Sequence, residues 1–252
     1  MRHVLGILSG KGGVGKTTLA VNLGLAMHRL GEDVVVVDTD LKNPTLGIQL
    51  GVFDYDTTLH DVVEKDMPLL EAMYIHRTGL KFVPSHVSLN YMGVDPGKLR
   101  KVFNDVYFTA ILDSPPGLGK EALSVMEVCD EALVVATPSL PDVAGALRTI
   151  EVARSMGIRI KGLVLNKVRK KNYEVTPGEI EAVSGVKVLA VVPWDQGVLH
   201  AVSCKEPVVE FNPYLPSAVA FYQLASRLTG VEYRKPPLAG VKALLKTLSR
   251  TL

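Results

Sequence analysis

Cysteine is scarce here: Cys129 and Cys204 are the only two among 252 residues. Two thiols exclude a disulfide framework, and no CxxC pair is present for a redox or zinc site. A reducing compartment, and so the cytoplasm, is the expectation. Long apolar runs are also missing, since none approaches the roughly 20 residues that span a bilayer. Met1-Arg2-His3 leads directly into a short apolar run and then glycine, which does not read as a signal peptide. Neither charge sign dominates: 28 Lys and Arg face 26 Asp and Glu, a net charge of +2. The balance alone therefore does not point to nucleic acid. The six histidines are scattered and show no metal-ligand spacing.

What is present suits one large α/β domain. The apolar share of 47% supplies a core, and 21% charged residues is ordinary for a folded soluble chain. Short apolar runs alternate with amphipathic stretches. Strands are predicted over 4–8, 33–38, 80–84, 109–113, 131–137, 160–166 and 186–192. Helices are predicted over 16–30, 97–103, 121–129, 142–156, 177–184 and 217–228. This alternation implies a mostly parallel sheet with helices on both faces. In such sheets ligands sit beyond the carboxyl ends of the strands. Asp38, Asp40, Asp113, Pro138, Asn166 and Asp195 all fall just past predicted strand ends. The composition breaks once, at Tyr233-Arg234-Lys235-Pro236-Pro237. A domain is therefore expected over 1–232, a proline-containing linker over 233–237 and a tail over 238–252.

The strongest local signal is Gly10-Lys11-Gly12-Gly13-Val14-Gly15-Lys16-Thr17, which matches G-x-x-x-x-G-K-[ST] in full. It follows a strand and opens a helix, the context such a loop needs. The glycines let backbone N–H groups turn toward phosphate oxygens. The helix N-terminus adds partial positive charge. Lys16 is expected to neutralise the β- and γ-phosphates, the Thr17 hydroxyl to coordinate Mg²⁺, and Thr18 to sit near the α-phosphate. The alternative, an ordinary glycine turn before a helix, is disfavoured by motif and context together. ATP and Mg²⁺ are the expected ligands, and the fold class is a three-layer P-loop NTPase.

Other positions are less decisive by themselves. Lys11 is either a solvated loop charge or a second cation at the phosphates. Asp38-Thr39-Asp40 and Asp113-Ser114-Pro115-Pro116-Gly117 each read, when taken alone, as turn and capping chemistry. Guanine-reading loops usually place an aspartate after N-K-x, but Asn166-Lys167-Val168 is followed by Arg169. GTP is therefore disfavoured.

The loop with two lysines, together with Asp113-Ser114-Pro115-Pro116-Gly117, resembles the deviant Walker A loop and switch segment of the MinD/ParA ATPases. The resemblance covers roughly residues 3–230 and the tail. It implies that Lys11 reaches across an ATP-dependent homodimer to the partner's phosphates. It further implies that Asp40 orients the attacking water, that Asp113 holds Mg²⁺ through water and that Asp38 supports the same network. Gly117 would offer its N–H to the γ-phosphate, so the segment shifts when that phosphate leaves. Asn166 would contact adenine, with the backbone of Pro193-Trp194-Asp195 flanking the base. Hydrolysis should be slow in a single subunit and faster in the dimer. Lacking CxxC, the chain does not resemble the family's iron–sulfur carriers. One departure stands out: MinD-like chains commonly have Pro-Glu where this chain has Pro138-Ser139, so the dimer and partner face, and the protein regulator, are left open.

In the tail, Val241, Leu244, Leu245, Leu248 and Leu252 are spaced as one helical stripe. Lys242, Lys246, Ser249 and Arg250 fall largely off it, and residues 238–252 contain no acid. A basic amphipathic helix beyond a proline linker suits an anionic membrane surface. The competing reading is a last helix docked on its own domain. MinD proteins carry a similar tail, which implies reversible attachment at the inner face of the cell membrane. Lys167, Arg169, Lys170 and Lys171 form a small basic run. In a ParA-like partition ATPase, such a run could meet DNA phosphates. A metabolic P-loop enzyme is the third class, but no substrate-pocket signature supports it. Cys129 is expected in the core, Cys204 to be partly buried, and Trp194 to pack beside the base site.

Overall fold

The computed structural model describes residues 3–86, 98–104 and 106–251, with the side chains of 248, 250 and 251 excepted. Its elements, in chain order, are β1 (His3–Leu8), α1 (Lys16–Arg29), β2 (Val34–Asp38), α2 (Leu46–Leu50) and α3 (Leu59–Lys65). A 3₁₀ turn (Leu69–Ala72) precedes β3 (Tyr74–Ile75), β4 (Lys81–Val83), α4 (Leu99–Val102) and β5 (Thr109–Asp113). There follow α5 (Lys120–Val128), β6 (Glu131–Ala136), α6 (Leu140–Ser155), β7 (Arg159–Val168), α7 (Pro177–Ser184) and β8 (Val188–Pro193). The chain closes with α8 (Gln196–Ser203), α9 (Val208–Phe211), α10 (Pro216–Thr229) and α11 (Ala239–Thr251).

The strands form one eight-stranded sheet in the order β3-β4-β2-β5-β1-β6-β7-β8. Among the described residues, only β3 runs antiparallel to its neighbour, β4. Period-2 alternation splits each strand between two faces. Val34 and Val36 pack toward α1, α8 and α10 on one side, whereas Val35 and Val37 pack toward α3 and α5 on the other. Both faces are therefore apolar, which is why the strands read as continuous hydrophobic runs. The expected three-layer fold is present.

The register places the chemistry. β1 lies between β5 and β6, so its C-terminal end and the loop after it open at the centre of the sheet. Asp38 pairs directly with Asp113 at the ends of β2 and β5. Their separation in sequence hides a side-by-side pair of carboxylates.

Several boundaries differ from expectation. Helix α6 starts at Leu140, not at Asp142, because Ser139 is its N-cap and accepts the Asp142 N–H. Strand β7 extends to Val168, which puts Asn166 inside the strand. The helix expected over 97–103 spans Leu99–Val102, and Gly97 lies outside the described residues. α2, α3, β3, α8 and α9 escaped periodicity because each is short or irregular in pattern. Cys204 is exposed at the C-cap of α8, not partly buried, and Cys129 is half-buried against the core rather than within it.

Residues 230–236 have no regular structure, and the stacked rings of Tyr222 and Tyr233 (4.8 Å) pin the start of that stretch to α10. Helix α11 returns to the domain through its small-residue face. Ala239 and Ala243 are buried, and the fully buried Asn212 amide donates to the Ala243 carbonyl (3.0 Å) and the Thr247 hydroxyl (3.2 Å). Its other face stays outside: Val241, Leu244 and Leu245 are 55%, 62% and 62% exposed. Docking and an exposed apolar stripe therefore coexist, because they use different faces of one helix. Leu248 and Leu252 of the expected stripe fall where no side chain is described.

Candidate functional site

Helix α1 begins without a side-chain cap and without an acid in its first turn. Its N-cap is Gly15, in the left-handed region at φ 99°, which only glycine adopts readily. The first amides of α1 are thus left open and favour an anion. Behind the loop, Gly10 packs against helix α6. A Cβ on Gly10 would lie 2.3–2.5 Å from the backbone of Gly145, so the loop must be bare there.

Lys16, 8% exposed, sits among carboxylates. Burial lowers its pKa, while Asp113 and Asp40 oppose that shift. Asp38 and Asp113 are both buried. Burial pushes the Asp113 carboxyl up to about 6, against the pull of Thr17 and Lys16. Asp38 is raised for the same reason, with Asp113 adding repulsion. Burial raises Asp40 as well, opposed mainly by the Asn43 amide and Lys16. Three carboxylates with a single buried lysine leave negative charge uncompensated.

That excess is the test of whether a cation fits. Asp113 Oδ1 is buried and has no hydrogen-bond partner among the described residues. The Thr17 hydroxyl is beside it and also meets the Thr45 hydroxyl at 2.8 Å. A hard divalent ion that keeps several waters suits one hydroxyl and nearby carboxylates. Asp38, however, is already engaged: its Oδ2 accepts the N–H groups of Thr45 and Leu46 (both 3.0 Å), anchoring the start of α2. Through these bonds it fixes Thr45, whose hydroxyl meets that of Thr17. Asp40 Oδ1 accepts the Asn43 N–H at 3.1 Å, leaving this half-buried carboxylate at the pocket wall.

The pocket holds about 560 Å³ and has two ends. Gly12, Gly13, Gly15, Lys16, Thr17, Thr18 and Asp40 form the polar end. Val192, Pro193, Trp194, Val198, Leu199 and Val202 form the apolar end. Strand β8 and helix α8 supply that apolar wall, and α8 was absent from the sequence reading. Asp195 could have signalled it: its Oδ1 caps α8 through the Gly197 N–H (2.9 Å), and its Oδ2 accepts the Ser217 hydroxyl at 2.8 Å. Trp194 is 43% exposed and is covered by the Arg169 guanidinium, 4.6 Å from its ring.

The remaining expected residues are distributed as follows. Val14 is buried within the loop. Thr18 lines the pocket and accepts from Gln49 of α2 at 3.1 Å. Gly117 (φ 81°) donates its N–H to the Ser9 carbonyl at 2.9 Å, so a phosphate contact there requires the segment to shift. The Lys11 ammonium lies 3.5 Å from Asp142 Oδ1 at the start of α6. Asn166 Nδ2 donates to the Val14 carbonyl (2.7 Å), and its Oδ1 accepts the Lys167 N–H (2.9 Å). Its amide thus holds the loop, and the residue also lines the pocket beside Pro193 and Asp195. Thr45, Gln49 and Lys167 join the site without a role in it foreseen from sequence, and Trp194, expected through its backbone, also lines the pocket with its side chain.

Comparison with known proteins agrees with this geometry. The family model described as ParA, NUBPL iron-transfer P-loop NTPase, matches residues 1–229. An uncharacterized ATP-binding protein of Methanocaldococcus jannaschii is 35% identical over 232 residues, covering 90% of this chain and 88% of its own length. The cell division ATPase MinD of Pyrococcus furiosus superposes with a TM-score of 0.86 at 32% identity, covering 92% of this chain and all of its own. MinD of Pyrococcus horikoshii, solved in complex with Mg-ADP, superposes with a TM-score of 0.85 at 32% identity, covering 96% and 99% of the two chains.

Proposed function

Since this chain belongs to the ParA family of P-loop NTPases, with ATP and Mg²⁺ as its cofactors, we propose that it is a MinD-like ATPase switch. ATP brings two copies together and holds them on an anionic membrane surface, and hydrolysis releases them. The role is spatial: positioning the division site or a cargo. The apolar face of the docked α11 carries this reading. Val241, Leu244 and Leu245 project outward from a segment that holds Lys242 and Lys246 and no acid. One such helix binds weakly, and two on one dimer bind far more strongly by effective concentration.

Lys16 and the open amides of α1 bind the phosphates. Asp40 aims a water at the γ-phosphorus from the pocket wall. Mg²⁺, held by the Thr17 hydroxyl and through water by Asp113, with Asp38 in support, would neutralise charge growing on the β- and γ-phosphates. Lys11 leaves Asp142 and supplies a second cation to the partner's nucleotide. The base rests in the apolar end, against Pro193 and the backbone at Asp195, with Asn166 at its edge. Adenine is preferred because Arg169 replaces the carboxylate that guanine needs and lies over Trp194.

The other readings have less support. An iron-carrying role fits poorly with two cysteines and no CxxC. DNA binding through the basic run is weakened because the Glu174 carboxylate accepts the backbone N–H groups of Arg169 and Lys171.

Sedimentation with anionic liposomes tests the proposal. ATP should carry the full-length protein into the pellet, ADP should not, and deletion of residues 238–252 should abolish pelleting. Pelleting that survives the deletion would remove the membrane argument. Salt-sensitive, ATP-dependent retention on DNA that is lost in the Lys170→Glu, Lys171→Glu variant would favour a partition ATPase instead.

A further inference from the structure

Two consecutive peptide units of the phosphate loop are held by one dipeptide from another strand. The Lys167 ammonium donates to the Gly13 carbonyl at 2.7 Å. The Asn166 amide donates to the adjoining Val14 carbonyl at 2.7 Å. A planar trans peptide points its C=O and the following N–H in opposite directions. Drawing the Gly13 and Val14 carbonyls outward toward β7 therefore turns the N–H groups of Val14 and Gly15 the other way, toward the phosphate position.

The local backbone of β7 is bent to make this possible. Lys167 has φ 60°, a left-handed conformation unusual for a residue with a Cβ. The Asn166 carbonyl oxygen accepts the Lys167 N–H at 2.9 Å and supports that turn. The pairing of β7 with β8 slips between Leu165 and Val168, bracketing the same dipeptide. The approach is so close that a Cβ on Gly15 would lie 2.4 Å from Asn166 Nδ2. Both residues also line the cavity.

We propose that Lys167 is a positioning residue for nucleotide binding, which acts with Asn166 by fixing the loop's carbonyls outward so that its amides meet the phosphates. The role goes beyond the switch reading and rests only on the loop as the phosphate site. It also joins the two ends of the pocket. Val168 accepts the Trp194 N–H at 2.9 Å, so the strand end that holds the loop is bonded to the wall that receives the base.

The test uses full-length Lys167→Met, Lys167→Arg and Asn166→Asp proteins. Calorimetry with Mg-ADP and with a Mg-bound non-hydrolysable ATP analogue should show Lys167→Met weakening both by about tenfold. The two losses should be equal because the held amides serve phosphates common to both ligands. Lys167→Arg, which still donates, should recover most of the affinity. Asn166→Asp, which cannot donate to Val14, should lose it. Amide exchange at residues 13–15 of the nucleotide-free protein should accelerate in Lys167→Met, with an unchanged Tm. Unchanged affinity would overturn the proposal. So would a loss confined to the triphosphate, which would make Lys167 a direct γ-phosphate ligand. A loss matched by a fall in Tm would reduce the residue to a structural role. If wild-type protein bound no Mg-ADP, the loop assignment itself would fail, separately from any membrane result.

Discussion

Asp113 is a carboxylate held ready for a cation that protein atoms alone do not replace. Its Oδ1 is buried without a hydrogen-bond partner among the described residues, and burial raises its pKa from 3.8 to about 6. A raised carboxyl stabilises the fold through its protonated form, fully below pH 3.8, and that contribution is lost as pH rises through about 6. Nucleotide-free Asp113→Asn should therefore melt higher than wild type at pH 8, by up to about 3 kcal/mol of stability. The gap should close toward pH 4, as followed by thermal denaturation at both values. The same variant should bind Mg-ADP more weakly, since an amide oxygen offers a cation less than a carboxylate does. A wild-type Tm above the variant's at pH 8 would contradict this account. At this scale, the roles of Lys16 and Thr17 were legible because a local motif carries them. Those of Thr45 and Lys167 were not, because their partners lie 28 and 154 residues away.

At the scale of elements, α11 shows how one helix serves two surfaces. Its alanine face is short enough to lie close to α9 and to share the Asn212 amide, while its leucine face is left over. Asn212→Ala removes the hydrogen bonds to the Ala243 carbonyl and the Thr247 hydroxyl and leaves the Tyr214 N–H without its acceptor, and should cost about 1–3 kcal/mol. It should also expose residues 230–238 to protease, with faster cleavage than wild type as the readout. Pelleting with liposomes should survive, because the apolar face remains. Unchanged cleavage would mean that the helix is held by apolar contact alone. Amphipathic spacing announced the helix from sequence, but the docked face was not legible. Alanines and one threonine carry no strong periodic signal, and their partner Asn212 belongs to another element.

For the whole molecule, the position of Lys11 separates one subunit from two. Within one subunit it meets Asp142 on the rim and not the carboxylates around Lys16. Lys11→Ala should therefore keep Mg-ADP affinity within about twofold, since exposed pairs of this kind contribute little. Turnover per subunit in wild type should rise with protein concentration, and in the variant it should stay flat. Flat wild-type turnover would instead favour a P-loop enzyme acting as a monomer. The sequence by itself determined the alternation of strand and helix, the phosphate loop and the carboxylates after strands, because periodicity and local motifs act over a few residues. Only the tertiary structure decided that Asp38 and Asp113 lie side by side, that β7 draws the loop's carbonyls outward, and that α8 closes the apolar end. Those outcomes depend on register and close packing between segments far apart in the chain, where no local pattern records which surfaces meet.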